Sequence, residues 1–176
     1  MKSLSVLTLL LMTSIGRPTE AADFFQIMVP NAVAKVSKQA QQLRLQNKPE
    51  EARALLEPIA KENPSYFLVH YNLGLTYGAQ GDWNAAISEL EHAKRINMQE
   101  GLSEPTIYNS LGWAYLQSGS YDKALAEFQL AQVPGTFDKL NAESQRKVLN
   151  NTGLTLAYLG QPAKAAQYYA KAKQIR

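Results

Sequence analysis

The sequence contains no cysteine. Disulfides, thiolate-held zinc, iron–sulfur clusters, thiol nucleophiles and cysteine-linked lipid are therefore excluded. Histidine is scarce: His70 and His92 are the only two, too few for a His-rich metal site. Charge of either sign is thin and mixed. Eighteen Lys and Arg face fifteen Asp and Glu, a formal net charge of +3. No basic stripe interleaved with aromatics exists, so nucleic acid is a poor fit as a partner. HExxH, GxSxG and GxxxxGK[ST] are all missing, and no two carboxylates converge by spacing for acid–base work. Strand periodicity is absent. Together these absences predict a protein without catalytic residues, metal or cofactor.

What is present begins with an apolar leader. Lys2 precedes the uncharged apolar stretch from Leu4 to Ile15, which is short against the ~20 residues a membrane-spanning helix needs. Thr19-Glu20-Ala21 sets small residues around a cleavage point. This is the layout of a secretory signal peptide over residues 1–22, and it predicts a periplasmic or secreted protein. Residues 23–32, with Phe24, Phe25, Ile27, Met28 and Val29, are apolar for a mature N-terminus. They are expected to cap the open end of the array that follows. Docking on a partner or on a second copy is the alternative.

The rest of the chain repeats itself. Tyr71-Asn72-Leu73-Gly74 leads to Gly81 and Ala86, Asn109-Ser110-Leu111-Gly112 to Gly119 and Ala124, and Asn150-Asn151-Thr152-Gly153 to Gly160 and Ala165. In all three, seven residues separate the glycines and twelve separate the first glycine from the alanine. Leu90, Phe128 or Tyr169 follows that alanine by four residues, and Ala93, Ala131 or Ala172 follows by three more. Small residues at matched places let two helices approach, and large residues one turn away fill what remains. Asp82, Ser103 and Ser120 are placed to start helices, Pro49 and Pro162 suit a first turn, and Asn141 can cap an extended helix. Gly81, Gly119 and Gly160 suit the turn between helices.

These residues resemble the tetratricopeptide repeat, a helix–turn–helix unit of about 34 residues. Set in that frame, with the first glycine at position 8, the units span 33–66, 67–100, 105–138 and 146–176. The first is degenerate, with Ala40 at the glycine position followed by Ala52, Leu56 and Ile59. Spacing between units is 34 and then 38 and 41 residues, so short inserts precede the third and fourth. His70 stands where the family has tryptophan, Thr152 where it has leucine, and the late proline survives only as Pro64. The resemblance implies an all-α fold, an α-solenoid of about four units wound into a right-handed superhelix.

The resemblance also implies that the first helix of each unit lines a concave groove. Its inward positions place Tyr71, Asn72, Leu75, Asn109, Trp113, Gln117, Asn150, Asn151, Leu154 and Tyr158 in that groove. Ser37, Lys38, Gln41 and Arg44 occupy the same positions in the first unit, and Thr106, Ser110 and Leu116 complete them in the third. Leu75, Trp113 and Leu154 make an apolar band. The asparagines make a row of amides able to bind an extended peptide backbone without reading its sequence. Trp113, flanked by Tyr71 and Tyr158, is the candidate anchor. The family's clamp for chaperone C-termini is not expected, because only Asn72 matches it from the first unit. His70 is expected in the core and His92 on the surface. The function implied is a non-catalytic scaffold of the bacterial envelope, holding a protein or peptide while an envelope, secretion or pilus-type complex assembles. Alternatives are a structural subunit acting through self-association or its end faces, or a module stacking glycans on its aromatics.

Overall fold

The computed structural model describes residues 18–102 and 104–176, with side chains from residue 32 onward. The signal-peptide segment and Ser103 lie wholly or largely outside the described residues. Eight α-helices make up the described chain: α1 (Pro18–Leu45), α2 (Pro49–Glu62), α3 (Phe67–Ala79), α4 (Trp83–Gln99), α5 (Thr106–Gln117), α6 (Tyr121–Ala131), α7 (Ala142–Tyr158) and α8 (Pro162–Gln174). No strand occurs among the described residues. The backbone from Pro18 runs as helix without a break into the first unit, so residues 23–32 extend α1. The side chains on which their capping role rests are outside the described residues.

Local chemistry explains the helix ends. The Asp82 carboxylate accepts from the Ala85 amide at 3.0 Å, and the Asn141 side chain accepts from Ser144 at 2.9 Å. Pro49 and Pro162 sit in first turns, where a missing N–H leaves no helical bond unmade. Ser120 departs from expectation. It caps nothing, because its hydroxyl pairs with Ser118 at 3.2 Å. The turns within the last three units reverse at Gly81, Gly119 and Gly160, with φ of 80°, 78° and 72°. Asn47 takes the same left-handed conformation in the first unit, at φ 60°. Asparagine is among the few side chains that tolerate it.

Within a unit the two helices touch through the matched small residues. A Cβ on Gly74 would fall 2.6 Å from Leu90, one on Gly112 2.7 Å from Phe128, and one on Gly153 2.7 Å from Tyr169. The glycine and the large residue are thus one contact repeated three times. Around it lie the largest core, formed by Phe67, Leu90, Ile107, Leu111, Tyr115 and Phe128, and a second core of Leu56, Ile59, Val69 and Leu73 in the first two units. Leu116, expected in the groove, is buried in the larger core.

Between units, polar links recur. The Tyr77 hydroxyl donates to Glu57 at 2.8 Å, and the Tyr115 hydroxyl donates to Glu91 one unit later. Burial, and then the carboxylate, pushes Tyr77 up to about 12 and raises Tyr115 as well. The fourth unit has Leu156 where this tyrosine would stand, and Gln129 where the glutamate would stand. There Gln132 Nε2 donates to Thr152 Oγ1 at 2.8 Å, giving the unusual threonine a partner. The seven-residue insert before α7 folds down rather than looping out. Gly135 turns at φ 81°, Phe137–Lys139 forms a 3-10 turn, and Leu140 packs with Ala131 and Val148.

The first helices α1, α3, α5 and α7 each pack on their successors, while α2, α4, α6 and α8 make no comparable approach to one another. Crowding on one layer curves the array toward it, and places the first helices on the concave side.

Candidate functional site

Between α1, α3, α4 and α5 lies a cavity of about 370 Å³. Its walls are Leu75, Ala79, Trp83, Trp113 and Ala114, and its floor is Gly74, Ala86 and Leu90. Trp113 is 38% exposed, an apolar ring offered to solvent at the rim. The polar lining is Ser110 and Arg44, and among the described residues Arg44 is the only charged one that lines it. The Ser110 hydroxyl pairs with that of Tyr71 at 3.1 Å, which ties α3 to α5. Arg44 Nη1 is buried and has no hydrogen-bond partner among the described residues. Burial pulls the Arg44 pKa below its ordinary value.

Of the ten residues singled out as the groove site, Leu75 and Trp113 line this cavity, together with Arg44 and Ser110 from the other inward positions. The row of amides is largely occupied with itself. Asn72 is 8% exposed, and its Nδ2 donates to the Leu68 carbonyl at 2.8 Å. Asn151 Nδ2 donates to Asn109 Oδ1 at 3.1 Å, so these two amides tie α5 to α7. Asn150 is exposed and lines a separate hollow with Arg146, Tyr169 and Lys173 at the far end. Gln117 is exposed and Leu154 half-buried against the large core. The aromatics flanking Trp113 turn elsewhere. Tyr71 stacks on Phe67 at 5.5 Å, and Tyr158, 59% exposed, stacks on Tyr121 at 4.9 Å.

Sequence reasoning set Arg44 and Ser110 at inward-facing positions without singling them out as site residues, and it passed over Trp83. Trp83 opens a second helix, and only the three-dimensional turn at Gly81 brings it to the groove.

A second cluster sits outside the groove. His70 is buried, with Nδ1 2.7 Å from Glu89 Oε2. His92 is half-buried rather than on the surface, its ring stacked on His70 with centroids 4.0 Å apart. Burial, then the neighbouring His70 and Arg95, holds His92 below its ordinary value. Among the described residues, no group of three or more His, Cys, Asp or Glu is placed to share a metal ion. No described helix is long and apolar enough to cross a membrane.

This geometry defines a helical-repeat solenoid with a concave recess. Two family models, both described as tetratricopeptide repeat, match residues 65–132 and 37–58. Over those residues the chain is built of tetratricopeptide repeats, and the same helix-pair packing continues through α8. The fold is similar to the crystal structure of MamA, with a TM-score of 0.66 at 22% identity, covering 82% of this chain and 78% of that one. It is also similar to pilF of Pseudomonas aeruginosa, with a TM-score of 0.72 at 18% identity, covering 84% of this chain and 62% of that one. At these identities the likeness is one of fold. A protein of Haemophilus influenzae, described as uncharacterized, is 29% identical over 86 residues. The match covers 49% of this chain and 46% of that protein, so the chain spans about half the length of this relative. Repeats of this kind serve generally as protein-interaction scaffolds.

Proposed function

We propose that the protein is a non-catalytic scaffold of the bacterial envelope. It holds a peptide or protein partner in its concave groove while an envelope, secretion or pilus-type complex assembles. The observation that carries this reading is the recess itself. A largely apolar hollow of about 370 Å³ with an exposed tryptophan at its rim lies on the concave face. Its size falls within the ~300–1,000 Å³ of pockets that bind ligands. An aromatic anchor in such a recess can contribute about 2 kcal/mol or more to binding a partner. The charged, apolar and small-residue order of residues 1–22 supports export, and the Haemophilus relative and the pilF fold are bacterial. Photo-crosslinking from Gln117 in native envelopes, followed by mass spectrometry, tests the reading. A discrete partner lost on Trp113→Ala, with helicity unchanged, supports it. Crosslinks that survive Trp113→Ala, or that join only copies of this chain, count against it.

A further inference from the structure

We propose that the recess takes an internal acidic side chain of a peptide, Asp or Glu, beside a large apolar one. Arg44 and Ser110 would meet the carboxylate, and Trp113, Leu75 and Trp83 the apolar neighbour. The inference rests on the groove reading above and makes it chemical. A guanidinium stays charged at any ordinary pH, so burying one of its nitrogens without a partner is unfavourable, and a counter-charge relieves it. Among the described residues no acidic side chain lines the recess, so none of their carboxylates competes for that nitrogen. The pull of burial on Arg44 acts in the same sense. A phosphate fits less well. Its double charge calls for several cations, and the lining has one set among apolar walls. A single carboxylate matches a single guanidinium and can use both its oxygens, one on Arg44 and one on the serine hydroxyl. With one cation in the described lining, one carboxylate is matched, which suits an internal Asp or Glu rather than an acidic residue that also carries the chain's terminal carboxylate.

The protein carries its own reporter. Its two tryptophans, Trp83 and Trp113, both line the recess. Short acetylated and amidated peptides, with Leu and Phe alternating with Glu, Gln or Lys, would be titrated against the full chain by tryptophan fluorescence. The Glu peptide is expected to bind at least about tenfold tighter than the Gln peptide, a difference of ~1.4 kcal/mol, and the Lys peptide weakest. Arg44→Gln should erase the preference, and Arg44→Lys should keep part of it. Equal binding of the Glu and Gln peptides, no binding of the Glu peptide, or an undiminished preference in Arg44→Gln overturns the proposal. So does binding that requires a free terminal carboxylate in place of the amide. Where Arg44→Gln loses helicity, the comparison of Glu and Gln peptides on the unaltered protein decides. Binding without preference that is lost in Trp113→Ala refutes the acidic assignment and leaves the groove standing. Binding untouched by Trp113→Ala refutes both.

Discussion

Replacing Gly112 with alanine adds one carbon at a place where the two helices of the third unit already touch. That carbon would lie 2.7, 2.8 and 3.0 Å from three ring atoms of Phe128. Carbon atoms prefer about 3.5–4.0 Å, so ring or backbone must move. Phe128 is 0% exposed and enclosed by the larger core, which leaves the ring no free direction. Overpacking of this kind costs about 1–3 kcal/mol. Against it stands the helical preference of alanine over glycine, about 0.8–1.0 kcal/mol. A contact this short on an enclosed ring falls in the upper half of that range, ~2–3 kcal/mol, so the net expectation is a loss of about 1–2 kcal/mol, or ~2–8 °C in thermal midpoint for a chain of this size. Urea unfolding followed by far-UV circular dichroism measures it, provided the slope is unchanged. A double-mutant cycle separates contact from propensity. Phe128→Leu makes room, so the double variant should be more stable than the sum of single losses predicts, by about 0.5 kcal/mol or more. Gly153→Ala should be milder, because Tyr169 is half-exposed and can swing. A Gly112→Ala protein at least as stable as the parent, or strict additivity with Phe128→Leu, would refute the close-contact reasoning.

Lys94 Nζ donates to both carboxylate oxygens of Glu127, at 2.6 and 2.9 Å, joining α4 to α6 with side chains 21% and 11% exposed. Lys94→Met strands that carboxylate and should cost about 2–3 kcal/mol in urea unfolding, somewhat less than for a fully buried pair. His92 is held below its ordinary 6.5, so the unfolded chain binds its proton more readily than the folded one. Its contribution to stability is complete above about pH 6.5 and is lost as pH falls through the folded value. His92→Gln should flatten the decline in urea midpoint between about pH 7 and pH 5, and an unchanged slope would contradict the assignment. Amide hydrogen exchange should show α7 and α8 opening at lower free energy than α3 to α6, because the last junction lacks the tyrosine–carboxylate link. Uniform protection across all units would count against that order.

The fold was open to sequence reasoning because its key contacts lie inside one unit. Gly112 and Phe128 are sixteen residues apart, and their pairing recurs at the same spacing in two other units. A recurring offset is legible without coordinates. The groove was legible only as a face. Helical periodicity puts Asn72, Asn109 and Asn151 on the concave side, but not the direction in which each amide turns. Asn72 finds its own helix carbonyl. Asn109 and Asn151 find each other, which depends on how closely α7 sits on α5 after the insert. Arg44 gains its meaning from what fails to surround it, and that is set by three other helices. His92 lies on a helix with Glu89 and Glu91 close in sequence, yet its ring is claimed by His70 on α3.

Among the described residues, the recess draws its walls from the first three helix pairs alone. Detaching the terminal pair would therefore shorten the trough without dismantling its deepest point. Such an arrangement separates grip from reach: one end can loosen, lengthen or be exchanged while the hold near Trp113 persists.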